Sequence, residues 1–187
     1  MSDLLTFNEE IHEYRYEGRK VPSVTGILSS LDFIEDEFFT LESQERGIKV
    51  HRITELYDLG SLDEDTVDPR LAGYLKAWIT FQEATGLVFT MIEHRVYHPG
   101  FAYAGTLDRK GVDKKGHTIL LDIKTGVKAV WHQYQLGGYA LCCQPADELM
   151  TVHLMEDGQF RVEEHNKNEA ISGWRAIIQT YNLRENR

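Results

Sequence analysis

The sequence predicts an α/β or α+β fold built on one mixed sheet, and three observations carry that expectation. The hydrophobic period changes from helical to alternating near Gly86. A helical pattern returns over residues 130–143, between segments that read as strands. Hairpin signals stand at Asp113-Lys114-Lys115-Gly116 and at Asp157-Gly158. At about 150 residues per domain, 187 residues predict one domain. A content of 42% hydrophobic and 11% aromatic residues supports a packed core and excludes disorder as a class.

The elements follow in order. A short hairpin opens the chain, with Glu17-Gly18 at its turn. Pro22-Ser23 starts a short helix, where Ser23 can accept from free backbone donors. Residues 37–58 read as a longer helix, and 63–68 as an acidic loop. Residues 69–85 form an amphipathic helix that ends at Gly86. Strands are expected over 88–97, 103–112 and 117–124. After the helix 130–143, a second hairpin spans 148–155 and 159–164, and a helix over 167–183 closes the chain.

No apolar run approaches the roughly 18 residues of a membrane span. The start, MSDLLTFNEE, lacks the basic and apolar regions of a signal peptide. A cytoplasmic protein without a membrane partner is therefore expected (host cytoplasm if the source is a phage). Cys142 and Cys143 are adjacent, so they make no stapling framework and cannot supply a four-cysteine metal site.

The net charge of −10 argues against a nucleic-acid partner at first sight. The distribution is uneven, however. Residues 1–80 hold 17 acids and 8 bases. The window 95–128 holds seven bases (Arg95, Arg109, Lys110, Lys114, Lys115, Lys124, Lys128) and three acids. A polyanionic substrate near that window stays open.

The chemistry centres on Gly105-Thr106-Leu107-Asp108 and on Asp122-Ile123-Lys124. Alternation along a strand puts Asp122 and Lys124 on one face and Ile123 on the other. A three-residue loop, Lys114-Lys115-Gly116, pairs Asp113 with His117. Counting five residues back and five forward then sets Asp108 opposite Asp122. Two carboxylates that close need a compensating cation, and hard divalent ions prefer carboxylate oxygens. A lysine beside them can orient water or neutralise developing charge, as metal-assisted phosphodiester hydrolysis requires. Taken alone, a D-x-K pair is more often a surface ion pair. Gln135 and Tyr139 share a helix face at i, i+4, and His51 follows Gly47 by four residues. Alone, each reads as ordinary packing or a surface side chain.

Together these residues resemble the PD-(D/E)XK nuclease superfamily, specifically its RecB-like exonuclease branch in phage-type and mitochondrial-type members. That branch shows G-x-x-x-H, G-x-x-D, D-x-K and Q-x-x-x-Y in order. Here they are Gly47…His51, Gly105…Asp108, Asp122…Lys124 and Gln135…Tyr139. The opening segment Val21-Pro22-Ser23-Val24-Thr25-Gly26-Ile27-Leu28 extends the likeness. The resemblance implies a restriction-endonuclease-like core, a central mixed β-sheet flanked by helices. It implies one nuclease domain over 1–187, with 1–36 as hairpin and short helix and 37–187 as catalytic core. His51, Asp108, Asp122 and the Ile123 carbonyl would hold Mg²⁺ or Mn²⁺, and Lys124 would be the catalytic lysine. Gln135, Tyr139, Thr125, Lys128 and Trp131 would lie against DNA, and Glu93 would be a possible additional acid. Iron–sulfur members need four cysteines, so no cluster is expected in a chain with two.

The functional expectation is a metal-dependent deoxyribonuclease, an exonuclease on single-stranded DNA or DNA ends by family analogy. The alternatives are a structure-specific or single-strand endonuclease, and a non-catalytic DNA-binding or regulatory protein that kept the fold. An acidic mimic of DNA charge fits the net −10 but leaves the ordered motifs unexplained. His94 and His98 sit four apart, and no cysteine or second histidine pair completes a zinc site there. For Trp78, Trp131 and Trp174, core packing is expected over base stacking.

Overall fold

The computed structural model describes residues 4–34 and 40–185. Strands β1 (Leu5–Asn8), β2 (Glu13–Tyr16) and β3 (Arg19–Val21) form a small antiparallel sheet in that order. Glu17 and Gly18 turn β2 into β3 with φ of 50° and 78°. Two positive φ values give the twist that a two-residue hairpin needs. The expected hairpin is present, with β1 added along its outer edge. Helix α1 (Val24–Ser30) begins where Ser23 accepts the Gly26 N–H at 2.9 Å.

Helix α2 runs Leu41–Asp58, with Thr40 accepting the Ser43 N–H at its start. Residues 37–39 of the expected helix lie outside the described residues, as do the acids 35–37. The acidic loop holds a 3₁₀ turn, Glu64–Thr66. The next helix differs from expectation in its first turn: Pro69–Leu71 is 3₁₀, and α3 runs Ala72–Thr85. Pro69 has no N–H to give, the Asp68 carboxylate takes the Arg70 N–H at 3.0 Å, and Leu71 N–H bonds Asp68 O at 2.7 Å. That three-residue closure tightens the turn. Gly86 then ends α3 at φ 63°, as expected.

The main sheet has β4 (Val88–His98), β5 (Tyr103–Val112), β6 (Thr118–Lys124), β7 (Glu148–Leu154) and β8 (Phe160–His165), in that spatial order. All neighbours are antiparallel except β6 and β7, which are parallel. Helix α4 (Trp131–Cys142) makes the crossover that a parallel pair requires. Helix α5 (Lys167–Glu185) follows β8. The fold is thus mixed α/β, a five-stranded sheet flanked by helices.

Strand β6, TILLDIK, is buried on both faces, which accounts for its nearly continuous apolar run. Leu120 faces α1, α4 and α5, where Val24, Leu136 and Trp174 pack. Ile119, Leu121 and Ile123 face α2 and α3, where Val50, Trp78 and Phe81 pack. Trp78 and Trp174 are fully buried, each contributing about 2–3 kcal/mol of apolar burial. Trp131 is only partly buried, short of the core position expected for it. No helix among the described residues is long and apolar enough to cross a membrane.

Helices α4 and α5 approach so closely that side chains are excluded at the crossing. A Cβ on Gly137 would overlap the Ala170 carbonyl, and one on Gly138 would come within 2.9 Å of the Trp174 ring. Gly137→Ala is expected to cost about 1–3 kcal/mol by forcing the helices apart. A denaturant midpoint equal to wild type would contradict this packing.

Candidate active site

The turn Lys114-Lys115-Gly116 sets the register as predicted, with Gly116 at φ 88° and Asp113 N–H bonded to His117 O. Backbone pairing runs from Val112↔Thr118 to Arg109↔Leu121 and stops there. The next rung would be Asp108 opposite Asp122. In its place the Asp108 carboxylate takes the Ile123 N–H directly, at 2.6 Å. The counted register is right, but the expected shared face is not kept.

The cause lies in β5. Leu107 packs in the layer with α4 and α5, whereas Arg109 reaches Asp58 and Trp78 in the opposite layer. Residues two apart on a regular strand share a face. The alternation therefore slips at Asp108. Its neighbour Glu93 falls between the pairs Ile92↔Arg109 and His94↔Leu107 and has φ of 42°. A left-handed glutamate inside a strand is strained, and such strain gathers at functional sites.

The slip brings three elements to one point. Ligand atoms of His51 on α2, Glu93 on β4 and Asp108 on β5 lie within 4.8 Å of one another. The His51 Nδ1 stands 3.4 Å from Glu93 Oε1 and 3.7 Å from Asp108 Oδ1. Its Nε2 lies 3.0 Å from the Ile123 carbonyl oxygen. Asp122 is held apart, on Lys124. Its Oδ1 accepts from Nζ at 2.9 Å, and Oδ2 lies 2.8 Å from the same nitrogen without a well-angled hydrogen bond.

Electrostatics marks the place as one short of positive charge. Burial pushes Asp108 upward, and Glu93 adds to it. Burial also raises Asp122 to about 6, against the pull of Lys124 and with a push from Asp108. Burial would lower His51, but Asp108 and Glu93 overcome it and raise the imidazole to about 9. The protonated ring is thus the local counterion. One imidazole, two carboxylates and a carbonyl meet there with Asp122 beside them, a donor set of the kind that suits Mg²⁺ or Mn²⁺.

Beneath the acids lies a residue whose role the sequence did not disclose. Arg109 is fully buried, and it donates to Asp58 at 2.6 Å, Glu93 at 2.9 Å and the Asp108 carbonyl at 2.7 Å. It also bonds Thr54 and stacks over Trp78. Asp58 in turn accepts from Trp78 and Gln82 of α3. The basic window is correspondingly less available than counted. Arg109 and Lys110 are buried, and Lys110 donates to the Cys143 carbonyl.

Gln135 and Tyr139 are buried, and Gln135 meets Lys124 where the sequence suggested contact with DNA. Gln135 accepts from Lys124 Nζ at 3.1 Å and donates to the Tyr139 hydroxyl at 3.2 Å. The Tyr139 ring lies over Gly105, where a Cβ would come within 2.7 Å. That close approach gives the glycine of G-x-x-D its reason. Lys124 also sits 5.2 Å over the Trp131 ring. Thr125 faces Gly47, where a Cβ would stand at an ordinary 4.0 Å, so no tight protein contact requires a glycine at 47. Lys128 is largely exposed and pairs with Glu163. His94 is exposed, and His98 Nδ1 accepts the Phe101 N–H.

Two measurements test this electrostatic arrangement. Arg109→Met leaves the buried Asp58 carboxylate and the partly buried Glu93 without their cation and is expected to cost about 3–5 kcal/mol in denaturant unfolding. An unchanged midpoint would remove Arg109 from its central place. Asp122 has a folded value near 6, above the ~3.9 of an unfolded chain, so its ionisation opposes folding above pH ~6. The opposition fades as pH falls from ~6 towards 4. In EDTA, Asp122→Asn should therefore exceed wild type by on the order of 1 kcal/mol at pH 7.5, with the gain largely gone at pH 4. An equal loss at both pH values would refute the charge shortage.

No protein-family model matches the chain, and no curated protein matches it. Among solved structures the chain is similar to an alkaline exonuclease from Laribacter hongkongensis: 13% identity, 87% of this chain and 86% of that chain covered, TM-score 0.49. The same exonuclease in complex with dAMP gives 12% identity, 88% and 87% coverage and a TM-score of 0.44. SSO0001 gives 13% identity, 84% coverage of each chain and a TM-score of 0.34. These are distant similarities.

Proposed function

We propose that this chain is a metal-dependent deoxyribonuclease that hydrolyses phosphodiester bonds, acting as an exonuclease on single-stranded DNA or DNA ends. The observation that carries the reading is the convergence of His51, Glu93 and Asp108 beside the Asp122–Lys124 pair. Three carboxylates without enough positive charge beside a lysine suit a phosphodiester site better than an ion-pair network.

His51, Asp108, Asp122 and the Ile123 carbonyl would hold Mg²⁺ or Mn²⁺, with Glu93 as a further acid. A bound divalent ion would supply positive charge to polarise the phosphoryl group. His51 would release its proton to serve as a ligand. Asp122 would turn from Lys124, freeing the ammonium to orient water and to offset charge developing on phosphate. Gln135 would hold Lys124 in place, and Tyr139 would hold Gln135. Both act as positioning residues. Trp131, whose ring lies against Lys124, would meet the DNA strand together with Thr125 and Lys128.

The test is cleavage of end-labelled single- and double-stranded DNA with Mg²⁺, Mn²⁺ or EDTA. Cutting is expected only with metal, and Asp122→Ala and Lys124→Ala should each lose at least about 100-fold in rate. Resistance of a circular substrate would mark an exonuclease, and its cleavage an endonuclease. Full activity in EDTA or in Lys124→Ala would refute the reading. So would no cutting by folded wild type under either metal.

A further inference from the structure

A second group of ligand atoms lies one strand away from Lys124, on the sheet face that α4 covers. His132 belongs to the first turn of α4, His153 to β7 and Glu163 to β8. The pairs Thr151↔Glu163 and His153↔Arg161 make His153 and Glu163 diagonal neighbours on one face. The parallel pair Lys124↔His153 sets the group beside the lysine strand.

Three buried atoms there have no hydrogen-bond partner: His132 Nδ1, His153 Nε2 and Glu163 Oε2. His132 is 2% exposed. One ligand atom from each residue falls within 4.8 Å of the others. Orphaned buried polar atoms are rare and costly, and three in one place call for a common explanation.

The outer contacts fix the chemistry of these atoms. His153 Nδ1 lies 3.2 Å from the Gly126 carbonyl, which can only accept. A proton therefore sits on Nδ1, which leaves Nε2, 3.6 Å from Glu163 Oε2, as the nitrogen open to a metal. Glu163 Oε1 is taken by Lys128 at 2.6 Å, leaving Oε2 free. Burial keeps the His132 ring neutral, with Lys124 adding to the effect. A single water has two hydrogens for three such acceptors. A proton on His153 would pair it with Glu163 and leave His132 unpaired.

We propose that His132, His153 and Glu163 form a metal site of their own, for Zn²⁺ or a similar borderline divalent cation. Two imidazoles and one carboxylate are a common zinc donor set, with a fourth position left for water. Ligands of a tetrahedral zinc stand about 3.3–3.5 Å apart, so the 3.6 Å pair already fits and the others need a small closure. Mg²⁺ is disfavoured, since it prefers oxygen ligands and two of the three donors here are imidazole nitrogens. The ion would pin the start of α4 to β7 and β8. That helix carries Trp131, Gln135 and Tyr139, all of which touch Lys124 or its partner.

The test uses the full chain, stripped with a chelator, carrying His51→Gln and Asp108→Asn so that the first site is disabled. Calorimetry with Zn²⁺ should give one tight equivalent, and Co²⁺ should give the visible d–d bands of tetrahedral coordination, displaced by Zn²⁺. Adding His153→Gln should weaken binding at least about 100-fold and abolish the bands. Glu163→Gln provides the same readout if His153→Gln does not fold, as judged by circular dichroism. Absence of tight Zn²⁺ binding to the folded double variant would overturn the proposal. Binding unchanged by His153→Gln or Glu163→Gln would do the same. Neither readout depends on DNA cleavage, so the nuclease reading can fail while this one stands.

Discussion

One buried cation organises the acids of this protein. Arg109 lies fully inside, and its guanidinium joins α2 through Asp58 and Thr54, β4 through Glu93, and β5 through its neighbour's carbonyl. Asp58 carries the connection on to α3. A fully desolvated arginine survives only where its donors are met. Meeting them requires β5 to turn Arg109 towards α2 and α3, and that turn is the slip at Asp108. The same slip aims Asp108 at His51 and at the Ile123 N–H. Glu93 completes the arrangement at the cost of a left-handed backbone.

Arg109 does not neutralise the whole cluster. It answers Asp58 and part of Glu93, while Asp108 and Asp122 remain raised by burial. Lys124 answers Asp122, and a protonated His51 answers the rest. Such a site stores unfavourable charge that a divalent cation can relieve. On the function proposed for it, the site trades stability for binding capacity, as is common where function needs an unfavourable local arrangement. The chain Tyr139–Gln135–Lys124–Asp122 holds the lysine on the opposite side of the acids from Arg109.

Much of this was legible in the sequence. The period change at Gly86, the returning helix and the turn glycines predicted the mixed sheet, because alternation and turn chemistry are local properties. The three-residue loop fixed the register and so brought Asp108 opposite Asp122 by count. What the count could not show was the slip, since regular alternation was the only rule available at Asp108. By sequence Arg109 is one of the seven bases of the window 95–128, and nothing local marks it as buried, because its partners Asp58 and Glu93 are 51 and 16 residues away. Glu93 was rated a weak candidate, yet it stands in the same cluster as His51 and Asp108. Gln135 and Tyr139 were correctly joined on one helix face, but their burial followed from α4 packing on β6. His132, His153 and Glu163 carry no local spacing signal at all. They meet only because α4 crosses over β7 and β8 returns beside it.

The most direct test of the central claim is an anomalous difference map from a crystal of the wild-type protein soaked with Mn²⁺. The account predicts a peak within bonding distance of Asp108, Asp122, the Ile123 carbonyl and His51, with Lys124 moved off Asp122. A map with no peak there at saturating Mn²⁺, and with Lys124 still paired to Asp122, would contradict it.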